Sequence, residues 1–473
     1  FSYEEKSMLF SSIPFLYYFL PAVLITYFLA PWKMKNAVLL LFSLAFYGWG
    51  EPSFVFLMVL SILSGYLFGL GIEKFRGKKG SKVCMILALV VSFGLLAYFK
   101  YANFFISNFS IATGIAVPLL KVVLPIGISF YTFQMVSYIL DVYWDKVPAQ
   151  KNFITLATYI VMFPQLIAGP IVRYTDVEAQ LKERSITFDK IAYGIRRFAL
   201  GMGKKILIAN VLGEFAAAFH ATDEKSVLFY WGYAIAVSLQ IYFDFSGYSD
   251  MAIGLGSMLG FTFVENFNYP YISASATEFW RRWHMSLGSW FRDYVYIPLG
   301  GSRCSKVRHY FNIFAVWMFT GFWHGAEWTF IVWGLYFGIL LVLEKTFLLK
   351  WFEKYKIIGH VYLLFFVIIS FVIFDANGLG AAGTHLASMF GFGGIPLSTG
   401  VTVYYLKSYL VMFLIAIIGA TPLPKLLVEK AMAKPAFSKA IQIAAPVVMV
   451  LLILVSTAYL VDGSFNPFLY FRF

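Results

Sequence analysis

Glu278-Phe279-Trp280-Arg281-Arg282-Trp283-His284-Met285-Ser286-Leu287 and, about forty residues later, Phe322-Trp323-His324-Gly325-Ala326-Glu327-Trp328 are the two segments that settle how this chain is to be understood. Each places a histidine between tryptophans in an otherwise apolar neighbourhood. A polar or ionisable group at membrane depth must be paired, hydrated or used. His284 and His324 are therefore the candidate reaction centre of a membrane protein.

The composition around them supports the membrane assignment. Of 473 residues, 60% are hydrophobic, 20% aromatic and only 13% charged, whereas soluble domains carry about 25% charged residues. At about twenty residues per spanning helix, the length accommodates about eleven to thirteen transmembrane helices. An all-α integral membrane protein follows, with residues 1–473 as a single polytopic domain. The formal charge of +13 does not point to nucleic acid, because the Lys and Arg residues lie in short clusters between apolar runs, as cytoplasmic anchors do. Cys84 and Cys304 are too few and too far apart for a disulfide framework or a zinc site, and no metal is expected. The first apolar run, from Met8 past Ala30, exceeds a signal peptide's apolar core and reads as a retained span.

Positive charge sets the expected orientation. Lys33 and Lys35 follow the first span, and Lys74, Arg76, Lys78, Lys79 and Lys82 lie between the third and fourth. The turn Gly50-Glu51-Pro52 has no basic residue, so the N-terminus is expected outside the cell. Lys345, Lys350, Lys354 and Lys356 form a further basic cluster, as do Lys425, Lys430, Lys434 and Lys439. Between them, residues 376–400 are uncharged and suit an external loop. The last span then leaves Asn466 to Phe473 extracytoplasmic as well, in a bacterial inner or plasma membrane.

The middle of the chain is less regular. Leu124 to Gln134 and Phe163 to Pro170 hold Pro and Gly inside apolar runs. Broken helices persist at membrane depth only where protein or a watery cavity satisfies the freed backbone, so a kink and a cavity both remain open. Residues 171–205 are the longest polar stretch and read as cytoplasmic helices lying on the membrane. Gln240 to Asp250 then places Asp244 and Asp250 in an aromatic run. Buried carboxylates need partners; either a structural network caps a helix from Ser249 to Leu259, or the pair holds other groups near the site.

If residues 277–291 form one helix, Trp280, Trp283, Leu287, Trp290 and Phe291 share a face and His284 lies at its edge. From there His284 faces a cleft, while Arg281 and Arg282 meet headgroups or a polyanionic ligand; an interfacial amphipathic helix is the other reading. His324 lies between two apolar runs, and Gly325 permits close approach. Histidine can act as a general base near neutral pH, although an aromatic-belt histidine has the same surroundings. His220, His309, His360 and His385 lie near span ends or in loops.

In these segments the chain resembles the membrane-bound O-acyltransferase family, and within it the bacterial branch serving alginate and related polysaccharide acetylation. The likeness runs in order through Met8 to Ser12, Leu124 to Tyr143, Phe163 to Arg173, Tyr242 to Asp250, Phe279 to Leu287, Tyr294 to Gly301, Thr320 to Trp328 and Tyr470 to Phe473. The resemblance implies acyl transfer in a central tunnel flanked by re-entrant or broken helices. It implies that His324 is catalytic, with His284 at the position where eukaryotic members usually carry Asn, here assigned to orienting or binding. Trp280, Arg281, Arg282, Trp283, Trp323, Gln134, Asp244 and Asp250 complete the expected substrate-binding set. The expected donor is acetyl-CoA or another acyl thioester. The expected partners are membrane lipids and an extracytoplasmic acetyltransferase or acyl-accepting protein, with a polysaccharide as final acceptor. A D-alanyl transferase of teichoic acids is the nearest alternative. A lipid or sugar transporter is a more distant one, which would show inverted repeats.

Overall fold

The computed structural model describes residues 8–463, and every regular element among them is helical. The closing Tyr470 to Phe473 segment of the resemblance and the predicted position of the C-terminus lie outside the described residues.

Among the described residues, five helices are long and apolar enough to cross a membrane: Pro52–Lys74, Lys79–Thr113, Trp328–Lys354, Lys356–Asp375 and Pro435–Val461. A sixth crossing arises if Gly400–Ser408 and Leu410–Gly419, bent by 51° at Tyr409, count as one span. This is a multi-pass membrane protein. Much of the remaining apolar sequence is divided into pieces of sixteen residues or fewer, such as Phe15–Leu29, Lys35–Gly50 and Ile128–Tyr143. The expected eleven to thirteen spans thus do not appear as that many long, uninterrupted helices. Of the two breaks anticipated from Pro and Gly, the second separates consecutive helices, whereas the first is a helix start that follows the non-helical residues 114–125. Gly127 adopts φ +72° at the start of Ile128–Tyr143, a left-handed conformation that glycine takes without steric cost. Phe153–Val161 stops at Met162, and Pro164 follows in the first turn of Phe163–Leu166.

The chain divides into two compact units. One comprises residues up to 198 with Ser249–Val264, and the other Ala199–Tyr248 with the chain from Glu265 onward. Helix Val227–Met258 runs unbroken for 32 residues and contributes to both. It replaces the shorter helix expected from Ser249 to Leu259, so Asp244 and Asp250 lie within its body and cap nothing. In the first unit Gly254 of this helix meets the backbone of Gly194, leaving no room for a Cβ at either position.

In the second unit Lys306–His324 and Trp328–Leu343 form the most extensively packed helix pair. Gly321 and Gly334 face one another there, and a Cβ on either would collide with the opposing backbone. This close crossing fixes where the first helix ends, and its last residue is His324. Ser305 starts that helix, its Oγ accepting from the Arg308 N–H, the usual way a serine satisfies one orphan donor.

Candidate functional site

His324 closes helix Lys306–His324, and Gly325 continues in extended backbone at φ −163°. The imidazole is 8% exposed and framed by aromatic rings. Trp323, Trp333 and Phe374 meet it edge to face at centroid distances of 5.0, 5.2 and 5.3 Å. Gly325 matters for the same reason, since a Cβ there would strike the Phe330 ring.

The continuous helix over 277–291 is not formed. Ala276–Trp280 and Met285–Phe291 are separate short helices, and His284 joins them in the left-handed region at φ 43°, ψ 53°. Such a conformation costs a non-glycine residue about 1–3 kcal/mol, so its surroundings must impose it. Asn266 does so on one side: its carbonyl accepts from the Met285 N–H at 3.0 Å and its Oδ1 from the Ser286 hydroxyl at 2.8 Å. The Asn268 N–H donates to the Arg282 carbonyl at 2.9 Å. Helix periodicity could not anticipate this break, because long-range hydrogen bonds override the local pattern.

Glu344 anchors the other end of the segment. Fully buried, its carboxylate accepts from the N–H groups of Ala276 and Thr277 at 2.6 and 2.8 Å and from the Thr277 hydroxyl at 2.7 Å. A carboxylate at a helix N-terminus satisfies donors that have no partner within the helix. Ser275 adds a further cap through the Glu278 N–H. Trp280 then packs edge-on to Trp317 and Phe337, at 4.6 and 4.8 Å. Trp283 stacks on Phe279 at 5.4 Å.

These constraints bring the two histidines together, with ring centroids 6.4 Å apart. Trp323 lies 5.9 Å from His284, and Phe245 of the long helix meets the His284 ring at 4.7 Å. His284 is 1% exposed, and neither of its ring nitrogens has a hydrogen-bond partner among the described residues. Leaving a buried polar group unsatisfied costs about 1–3 kcal/mol, a cost that a bound hydroxyl or carbonyl would relieve. The 6.4 Å separation is short enough for one oxygen atom to hydrogen-bond both rings. Such an arrangement can hold a hydroxyl group and accept its proton in a water-poor, aromatic enclosure.

The other expected site residues distribute differently. Arg282 is paired with Glu278 at 2.9 Å and donates to the Asn268 carbonyl, so it serves the local fold; Arg281 is exposed. Asp244 forms a buried ion pair with Lys205 at 2.6 Å, and Lys205 also donates to the Asn210 Oδ1 at 3.0 Å. Asp250 and Gln134 belong to the other unit. Asp250 pairs with Arg197 at 2.7 Å, and the buried Gln134 amide has no side-chain partner among the described residues. Sequence reasoning missed Lys205, Glu344 and Asn266. A charged residue interrupting an apolar run was the available signal for Glu344.

The comparisons with known proteins agree with this architecture. Residues 146–379 match the model of the membrane-bound O-acyltransferase family. The chain is 40% identical to a probable alginate O-acetylase of Azotobacter vinelandii, over 98% of this chain and 100% of the relative. It is 34% identical to a peptidoglycan O-acetyltransferase of Helicobacter pylori, over 82% and 81%. With a teichoic acid D-alanyltransferase of Bacillus subtilis it shares 31% identity over 53% of this chain and 69% of the relative. A full-length likeness at this level, over a helical membrane body, makes the chain an O-acyltransferase belonging to the membrane-bound O-acyltransferase family.

Proposed function

We propose that this enzyme moves an acetyl group from a cytoplasmic thioester of the acetyl-CoA type to a hydroxyl on the extracytoplasmic side, in the service of polysaccharide O-acetylation. His324 acts as general base and removes the proton of the acceptor hydroxyl, whose oxygen attacks the thioester carbonyl. The C–S bond breaks, the ester forms, and the proton passes from the imidazolium to the departing thiolate. His284 orients the acceptor or the carbonyl with its free nitrogens. Holding both reactants in line in a narrow enclosure contributes about 7–11 kcal/mol of barrier reduction. The acceptor is a serine of an extracytoplasmic partner protein or a sugar hydroxyl, and both chain termini lie outside the cell membrane.

The single observation that carries this reading is the pairing of His284 with His324, the former buried with unpartnered nitrogens. Acetylation is favoured over D-alanylation because the likeness to the probable alginate O-acetylase extends over 98% of the chain, against 53% for the D-alanyltransferase.

Inverted membrane vesicles incubated with acetyl-labelled CoA test it. The label should leave the thioester and appear on a lumenal hydroxyl acceptor. Label that crosses the membrane without thioester consumption would instead indicate a transporter.

A further inference from the structure

Two buried cations in the first unit have no anionic partner among the described residues. Arg184 is 6% and Lys35 8% exposed, and neither forms an ion pair with any described residue. Both converge on Tyr27. The Arg184 Nε donates to the Tyr27 hydroxyl at 2.8 Å, and the Lys35 ammonium donates to the Tyr27 carbonyl at 2.6 Å. That ammonium lies 4.3 Å from the Tyr27 ring centroid. Arg184 also donates to the Asn36 Oδ1 and the Gln180 carbonyl, and its guanidinium faces Phe261 at 4.4 Å and Trp32 at 5.3 Å. All of these partners are neutral, and one guanidinium nitrogen, Nη2, is buried without a partner among the described residues.

Like charges sharing one phenol ring repel, and the attraction of aromatic faces falls well short of what a buried ion requires. A counter-anion would resolve the imbalance. The surrounding surface indicates its source. Helix Leu20–Leu29 ends here, and Phe28, Leu29 and Trp32 beside the cations are exposed, as lipid-facing residues at a membrane interface are. Lys33 follows in the same turn, the arrangement expected at the cytoplasmic face, where anionic lipids concentrate.

We propose that Arg184 and Lys35 form a binding site for the phosphate headgroup of an anionic phospholipid, seated against Tyr27 with its acyl chains along Phe28, Leu29 and Trp32. The site ties the first helix to the segment around residue 184 and makes the stability of this unit depend on lipid composition, independently of the acyl-transfer chemistry.

The test uses the full chain in nanodiscs of phosphatidylcholine, with or without phosphatidylglycerol. Phosphatidylglycerol should raise the thermal midpoint of the wild type by about 2 °C or more, and native mass spectrometry should show a retained phosphatidylglycerol molecule. Arg184→Gln and Lys35→Gln should lose both effects, whereas Lys79→Gln, an exposed control, and His324→Ala should keep them. Should Arg184→Gln fail to fold, Lys35→Gln and Arg184→Lys carry the comparison, the latter retaining the shift. Equal shifts in Lys35→Gln and wild type would overturn the site. A shift produced as well by inorganic phosphate in phosphatidylcholine would overturn its assignment to lipid.

Discussion

Replacing His324 by Ala should lower acetyl transfer by about 10²–10⁴-fold, the range that general-base catalysis supplies, while expression and membrane insertion stay normal. The imidazole sits at a helix terminus, framed by Trp323, Trp333 and Phe374. Its loss leaves an aromatic-lined gap without removing any contact of the close Gly321–Gly334 crossing that sets the hairpin. Initial rates of label transfer from acetyl-CoA, alongside the amount of protein in the membrane, measure the effect. Retained transfer would remove His324 from the mechanism.

Replacing Asp244 by Ala should destabilise the protein by about 3–5 kcal/mol, because it strands Lys205 as an uncompensated buried charge. The two side chains are 5% and 1% exposed, so water cannot take over from the lost carboxylate. The residue after Asp244 is Phe245, whose ring meets His284, so activity should fall with stability. A lowered thermal midpoint in detergent, substantially recovered in the double variant Asp244→Leu with Lys205→Met, is the expected pattern; an unchanged midpoint would show the pair to be dispensable. Asp250→Asn should cost less, since the Asp250–Arg197 pair is 11% and 20% exposed.

The residues of the candidate site were more legible in the sequence than the backbone that carries them. A histidine between tryptophans at apolar depth is costly wherever it sits, so His284 and His324 could be singled out before any geometry was known, and the structure brings their rings together. The path of the chain around them was not legible. Periodicity proposes one helix through 277–291 because local spacing cannot register hydrogen bonds from Asn266, 20 residues before Ser286, or a carboxylate from Glu344, 67 residues after Thr277. Asp244 and Asp250 looked alike in the sequence, as neighbouring carboxylates in one aromatic run. Six residues along the helix Val227–Met258 place them in different units with different cations, Lys205 and Arg197. Arg281 and Arg282 diverge similarly: Arg282 is held by Glu278, while Arg281 is exposed. Span counting from length fails for a related reason, since Pro, Gly and left-handed turns divide apolar sequence that composition alone would assign to straight helices.

The reaction scheme depends on two imidazoles serving one acceptor. Kinetics of His284→Ala, His324→Ala and the double variant, with label transfer from acetyl-CoA as the readout, test this most directly. Groups that act as a unit are strongly non-additive, so the double variant should be no slower than His324→Ala alone. A double variant slowed by the product of the two single effects would mean that the histidines work independently, and the shared site would be contradicted.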